Sequence, residues 1–382
     1  MTEIRYKRLR QNLHMHPELS GKEFRTSELI NKELKKTDPD SIIDRLGGTG
    51  VLACFNANEP EVHKTLLIRA ELDAIAVKEE NEFAYISQTN GVMHGCGHDG
   101  HMAILIGLAR WLKNNRPDNL NICLLFQPAE ETGTGASKVI NDDRFADLSF
   151  DHAFALHNLP GFAENEIFLK KGVFACASSG VEVTFKGCAS HAAYPEQGVN
   201  PVQAVNSFIS SAEKCLKKFR ETDELNKAVC TFIKMGEPAF GISPGSAKIG
   251  YTLRSVSDEE LKEGTGFLKE AFEHSRRSFE GNASFKQVEP FSATINDDFG
   301  TEIVMKGAEI ENIPANTLNR AFPWSEDFGE FRKCCPITIF GLGAGKDHPP
   351  LHSEKYDFND ALIETGIRIF SSIIKEYASN YS

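Results

Sequence analysis

Four short apolar runs rich in β-branched and aromatic residues, at 65–69, 121–126, 153–156 and 337–340, are separated in the chain by several helical patterns. Strands alternating with helices predict an α/β sheet. The residues just past three of these runs narrow the possibilities further. Glu71 and Asp73 come after the first, Glu130 and Glu131 after the second, and His157 after the third. Ligands of open α/β sheets bind outside the carboxyl ends of strands, so these side chains are expected to meet along one edge.

Between 172 and 290 the pattern changes to strand, helix, two strands, helix and strand, the order of a ferredoxin-like α+β unit. Acid- and His-rich segments flank it on both sides. The expected organisation is therefore a first domain in two pieces, 1–171 and 291–382, with 172–290 inserted. A chain of 382 residues is long enough for two domains. Near the start, Ser20-Gly-Lys-Glu23 reads as a capping box opening a helix toward Lys36.

The densest chemical signal is GVMHGCGHDGHMAILIGLA, 91–109, with Cys96 and His98 in a Gly-flanked loop ahead of a helical run. By itself the motif also fits a small buried thiol beside solvated imidazoles. Three other stretches favour a metal: FQPAEETGTG, where Glu130 and Glu131 end a strand in a turn, ALHNLPG with His157, and PPLHSEKYDF with His352. Two adjacent carboxylates can divide labour between holding a cation and moving protons. The spacing does not say which does which.

The charge balance, 42 basic against 54 acidic residues and −12 overall, comes without a basic block and excludes a polyanion partner such as nucleic acid. The first thirty residues lack the apolar core of a signal peptide, and no stretch approaches a membrane span. Nine Cys without framework spacing predict reduced thiols in a cytoplasmic protein, with Cys54, Cys123, Cys176, Cys215, Cys230, Cys334 and Cys335 as packing residues.

Taken together, HMHPEL, IRAELDAI, GVMHGCGHDGHMA, FQPAEE, LHNLPG, SHAAYP, SEDF and LHSEKYDFND resemble, in order and over nearly the whole chain, the M20 metallopeptidases. The resemblance is to their amidohydrolase branch, which includes hippurate hydrolases, N-acyl-amino-acid deacetylases and indole-acetyl-amino-acid hydrolases. It implies a metallopeptidase-type catalytic domain, with a mixed central sheet flanked by helices, and an inserted lid or dimerisation domain. Cys96, His98, Glu131, His157 and His352 become ligands of two divalent ions (manganese, zinc, cobalt or nickel). Glu130 becomes the general base, and Asp73 a carboxylate that orients a ligand. His191 becomes an oxyanion or substrate contact reaching a partner's site in a homodimer, and Arg254 the group that binds the substrate carboxylate.

The implied reaction is hydrolysis of the amide of a small N-acyl amino acid. A dipeptidase would use the same metals, and a non-catalytic metal-binding protein is expected to have lost Glu130 or Asp73. One departure is Glu71-Leu-Asp-Ala-Ile-Ala76 where the family usually has Asp-Met-Asp-Ala-Leu-Pro. It lengthens a carboxylate beside the ligands and removes a proline from the next turn. Helix-terminus and packing roles are expected for His14 and His16, and shaping roles for His94 and His101. His63, His152, His274 and His348 have no evident partner.

Overall fold

The computed structural model describes residues 2–59, 61 and 64–380, so His63 lies outside the described residues. Two compact units emerge, one of Met1–Phe174, Thr294–Arg320 and Asp327–Ser382, the other of Ala175–Ala293 and Ala321–Glu326. The first begins with α1 (Thr2–Met15), α2 (Phe24–Leu34), β1 (Ser41–Leu46), β2 (Gly50–Phe55), β3 (Thr65–Glu71), α3 (His98–Leu112), β4 (Asn121–Gln127), β5 (His152–Pro160) and β6 (Ile167–Leu169). The second holds β7 (Ala177–Lys186), α4 (Val202–Thr222), β8 (Lys227–Met235), β9 (Ser246–Ser255), α5 (Asp258–Arg276) and β10 (Asn282–Phe291). The chain then returns to the first with α6 (Asp298–Ile310), β11 (Ala315–Thr317), β12 (Ile337–Gly345) and α7 (Leu362–Ser379).

The first unit is built on a mixed sheet of order β1-β2-β4-β3-β5-β12-β6-β11. Its centre is parallel: Ile68 pairs with Leu124 on one side and Phe154 on the other, and Phe340 pairs with Leu156. These strands are buried almost throughout, which is why they read as continuous apolar runs rather than alternating ones. Helix α3 is apolar on nearly every side and packs against α1 and α7, placing Ile104, Leu105, Ile369 and Ile373 in one core. Because β3, β4 and β5 run the same way, the residues at their carboxyl ends share one edge.

The second unit is an antiparallel sheet of order β8-β9-β7-β10 with α4 and α5, the β-α-β-β-α-β arrangement expected from the sequence.

Three expectations are corrected. The Ser20–Glu23 capping box does not form, since Glu23 occupies the N-cap of α2 without a side-chain bond to it, and both side chains are bonded elsewhere. The thiols are not all reduced: β2 and β4 set Cys54 opposite Cys123, with Cα atoms 4.1 Å apart, and the pair forms a disulfide. Cys334 is exposed rather than packed, and Cys215 and Cys230 are only partly buried. Among the described residues no helix is long and apolar enough to cross a membrane.

Candidate metal centre

Helix α3 starts one residue after Gly97, so His98 is its first residue rather than part of a loop. Gly97 has φ 90, and a Cβ there would run into the Asn158 carboxamide and the Tyr356 hydroxyl. Glycine alone allows this entry, which turns Cys96 and His98 toward the same place. His157 comes from β5 and Glu130 and Glu131 from a short 3-10 turn after β4. His352 comes from the segment ahead of α7, where its backbone is itself left-handed at φ 63.

The five ligand candidates therefore converge although they span 96–352. Cys96 Sγ lies 3.5 Å from His157 Nε2, His98 Nε2 lies 4.0 Å from Glu131 Oε1, and His352 Nε2 lies 3.6 Å from the same oxygen. Bonds of about 2.0–2.3 Å to one tetrahedral ion separate ligand atoms by roughly 3.3–3.8 Å, a range that the Cys96–His157 and Glu131–His352 spacings fall in. Cys96 belongs to two overlapping groups, one with His98 and His157 and one with Glu131 and His352. Two such groups sharing a sulfur give donors for two ions.

The unpartnered donor atoms point the same way. His98 Nε2 and Glu131 Oε1 are buried and have no hydrogen-bond partner among the described residues, a costly state for polar atoms that a cation between them would relieve. Burial pushes the Cys96 thiol well up, and the Glu131, Glu130 and Glu71 carboxylates add to it. Burial opposes a charged His98, yet Glu71 and Asp73 overcome it and raise its pKa to about 10, so Cys96 and His98 both hold protons that a bound metal would displace. His157 is driven by burial down to about 3 and stays neutral, the form that ligates metal.

Behind the donors stands a framework of fixed partners. His98 Nδ1–H donates to the Asp73 carbonyl at 2.9 Å, leaving Nε2 for a metal. His157 is oriented in the same way by the Asn158 carbonyl at 2.8 Å. Asp73 Oδ2 accepts from the Ser20 hydroxyl at 2.7 Å and from the Glu131 amide at 3.0 Å, tying the ends of β3 and β4 together. Glu71 turns its longer carboxylate onto Arg69 and His101, and His101 reaches Asn158. Asp327 of SEDF accepts from Arg69, Gln127 and the Ala136 amide, anchoring the segment after Glu131.

Glu130 is buried beside His98, with Oε2 3.9 Å from Nε2, so a carboxylate stands at the centre without being needed to complete either Cys96 group. Ser20, Glu23, Asn158 and Asp327 are the residues missed by sequence reasoning. HMHPEL, LHNLPG and SEDF marked three of their neighbourhoods without their roles.

His14 sits buried in the last turn of α1, bonded to Asp99 and Glu79. His94 is buried with neither ring nitrogen bonded among the described residues, and burial lowers it to about 4. His152, expected without a partner, bonds Thr338, and His348 bonds the Pro349 carbonyl. His191 and Arg254 belong to the second unit. His191 is exposed and accepts from the Ala193 amide through Nδ1 at 3.0 Å, which leaves its proton on Nε2. Arg254 lies near the end of β9 and donates to Pro323 O and Ser325 Oγ.

Known proteins are similar to the chain over nearly its whole length. An N-acetyldiaminopimelate deacetylase of Bacillus subtilis is 29% identical over 378 residues, 97% of this chain and 98% of its own. A hippurate hydrolase of Campylobacter jejuni is 28% identical over 390 residues, covering 97% and 96%. An N-acetyl-L-cysteine deacetylase of Bacillus subtilis is 30% identical over 381 residues, covering 97% and 88%. The crystal structure of a dinuclear metal-binding M20 peptidase from Bacillus subtilis superposes with TM-score 0.78 at 23% identity, covering 99% of both chains, which shows the fold. The model of peptidase family M20/M25/M40 matches residues 67–376, from the strand that carries Glu71 into the last helix, and the chain belongs to that family.

Proposed function

We propose that this hydrolase cleaves the amide bond of N-acyl amino acids, with N-acetyl, N-benzoyl or similar acyl groups, releasing the carboxylic acid and the free amino acid. The carrying observation is the pair of buried donor atoms on His98 and Glu131, without hydrogen-bond partners among the described residues, next to the Glu130 carboxylate, whose Oε2 lies 3.9 Å from His98 Nε2. The deacetylase and hippurate hydrolase relatives support the same reading. Cys96, His98, Glu131, His157 and His352 would hold two divalent ions of manganese, zinc, cobalt or nickel, with zinc the softest fit to a thiolate. When bound, the ions supply Lewis acidity to the scissile carbonyl and to water.

The protein's own groups do the rest. Glu130 accepts the water proton and returns it to the leaving nitrogen. Asp73, through its carbonyl and carboxylate, keeps the His98 ring in one tautomer and the Glu131 turn in place. His191 Nε2–H donates to the developing oxyanion in the partner subunit of a homodimer, and Arg254 pairs with the substrate carboxylate through its guanidinium fork.

The test is metal analysis of purified enzyme followed by a screen of N-acetyl, N-benzoyl and indole-acetyl amino acids against dipeptides with a free α-amino group. About two ions per chain and turnover of N-acyl substrates are expected. Hydrolysis of the dipeptides alone would replace this reading with a dipeptidase.

A further inference from the structure

The turn that carries Glu130 starts from a conformation its own sequence resists. Ala129 lies in the left-handed region, φ 52 and ψ 41, which a Cβ disfavours and glycine tolerates. Its neighbours then leave no slack. The Gly135 amide donates to Ala129 O at 3.1 Å, and a Cβ on Gly135 would collide with the Pro128 carbonyl. Glu130 and Glu131 follow directly, so rotation of the Ala129 peptide would displace both carboxylates.

What holds Ala129 is a side chain 106 residues earlier. Glu23 is fully buried, and its Oε1 accepts from the Ala129 amide at 2.9 Å and from the Gly21 amide at 2.7 Å. Its Oε2 accepts from the Thr49 hydroxyl at 2.7 Å. A buried carboxylate with three donors is rigid, and one of the three is the amide that enters the turn.

We propose that Glu23 is a positioning residue for amide hydrolysis: by binding the Ala129 amide it keeps Ala129 left-handed and so fixes where the Glu130 and Glu131 carboxylates stand. The inference rests on the reading of Glu130 as general base and Glu131 as ligand. It also explains why Ser20-Gly-Lys-Glu23 is not spent on capping α2. Ser20 meets Asp73 while Glu23 meets Ala129, so one segment braces the catalytic turn from two sides.

The experiment compares the parent, Glu23→Ala, Glu23→Gln and Glu23→Ala/Ala129→Gly as manganese-loaded enzymes on an N-acetyl amino acid. Glu23→Ala should lower kcat on the order of 10- to 100-fold with little change in KM, as misplacement of a catalytic group does. Glu23→Gln should stay within a few fold, because its carbonyl still accepts from Ala129 while its amide donates to the Thr49 hydroxyl, which can also accept. Adding Ala129→Gly to Glu23→Ala should recover about fivefold or more, since glycine does not resist the left-handed region. In metal-free protein, amide exchange at Ala129 should quicken in Glu23→Ala while Leu124 in β4 stays protected. If Glu23→Ala does not fold, Glu23→Asp, one methylene too short to reach Ala129, should show the same fall.

Unchanged kcat in Glu23→Ala, no recovery with Ala129→Gly, or equal loss of protection at Leu124 would each overturn the proposal. Failure of the base assignment looks different: Glu130→Gln would keep turnover, while Ala129 exchange would still respond to Glu23.

Discussion

The centre at the carboxyl ends of β3, β4 and β5 and the short segment around His191 are built by opposite rules. At the centre most side chains are buried, with His352 exposed and Glu131 half-buried, and many are held by a partner distant in sequence. Ser20 meets Asp73, Asp99 meets His14, and Arg69 meets Asp327. His191 is exposed, sits in a two-residue strand paired with Ile242–Ser243, and its ring accepts a hydrogen bond from the backbone two residues away. A binding centre for ions must be rigid before anything arrives, whereas a contact that meets substrate needs only a defined tautomer. The contrast predicts that substitutions at the centre divide into those that lose metal and those that lose turnover, and that substitution at His191 loses turnover alone.

The sharpest break of that contrast lies within the centre. Glu130→Gln should retain both ions and lose about 100-fold or more in kcat, because a proton acceptor is removed and no ligand is. Cys96→Ser should instead lower metal occupancy, since Cys96 belongs to both donor groups. Metal analysis beside steady-state rates separates the two, and full occupancy in Cys96→Ser would remove Cys96 from the ligand set.

The next effect tests whether His191 serves a neighbouring subunit. Glu130→Ala and His191→Ala, each inactive, are mixed under conditions in which subunit exchange is shown separately. Half the dimers become mixed and one site in each carries neither defect, so about a quarter of parental activity returns if His191 acts across a two-fold dimer. If it acts within its own chain, none returns.

A smaller effect concerns Arg254. Arg254→Ala should raise KM for substrates with a free carboxylate about tenfold or more, the order expected from losing one charge-assisted contact, and leave the matching amides little changed. Equal losses would rule out carboxylate recognition.

The smallest effect reads the rigidity of the centre through pH. Burial opposes charge on His14, but hydrogen bonds to Asp99 and Glu79 overcome it and raise its pKa from 6.5 to about 9. A raised pKa stabilises the fold fully below the unfolded value and is lost as pH climbs through the folded one. At about 1.4 kcal/mol per unit the contribution is at most about 3.5 kcal/mol, and it fades between roughly pH 6.5 and 9. The stability difference between parent and His14→Gln, measured by urea unfolding of metal-free protein, should shrink across that window. A difference that grew with pH would contradict the pairing.

Much of the fold and the centre is legible in the chain. The parallel strands show because burial on both faces leaves continuous apolar runs, and the candidate ligands show because they lie in short motifs, Glu131 and His157 at strand ends and Cys96 and His98 at the entry to α3. The edge pair β1 and β2 does not show in the same way. In β1, SIIDRL is mostly exposed or half-exposed and carries no strong apolar run. Ser20 and Glu23 mislead for a different reason: their spacing fits a local capping box, while Ser20 bonds Asp73, 53 residues away, and Glu23 bonds Ala129, 106 residues away, besides Thr49 and Gly21.

Alternation of strand and helix, family membership, and the residue types able to hold and use a metal are all written in the chain, because they depend on local periodicity and on side-chain chemistry. Three features arise on folding instead: Cys54 faces Cys123, His98 opens a helix rather than lying in a loop, and a buried carboxylate near the start of the chain holds the turn of Glu130. The disulfide depends on strand register, the entry into α3 on the close approach of Asn158 and Tyr356 to Gly97, and the brace on a hydrogen bond between distant segments. Local sequence pattern cannot supply any of them, because these neighbours meet only once the sheet has brought their segments together.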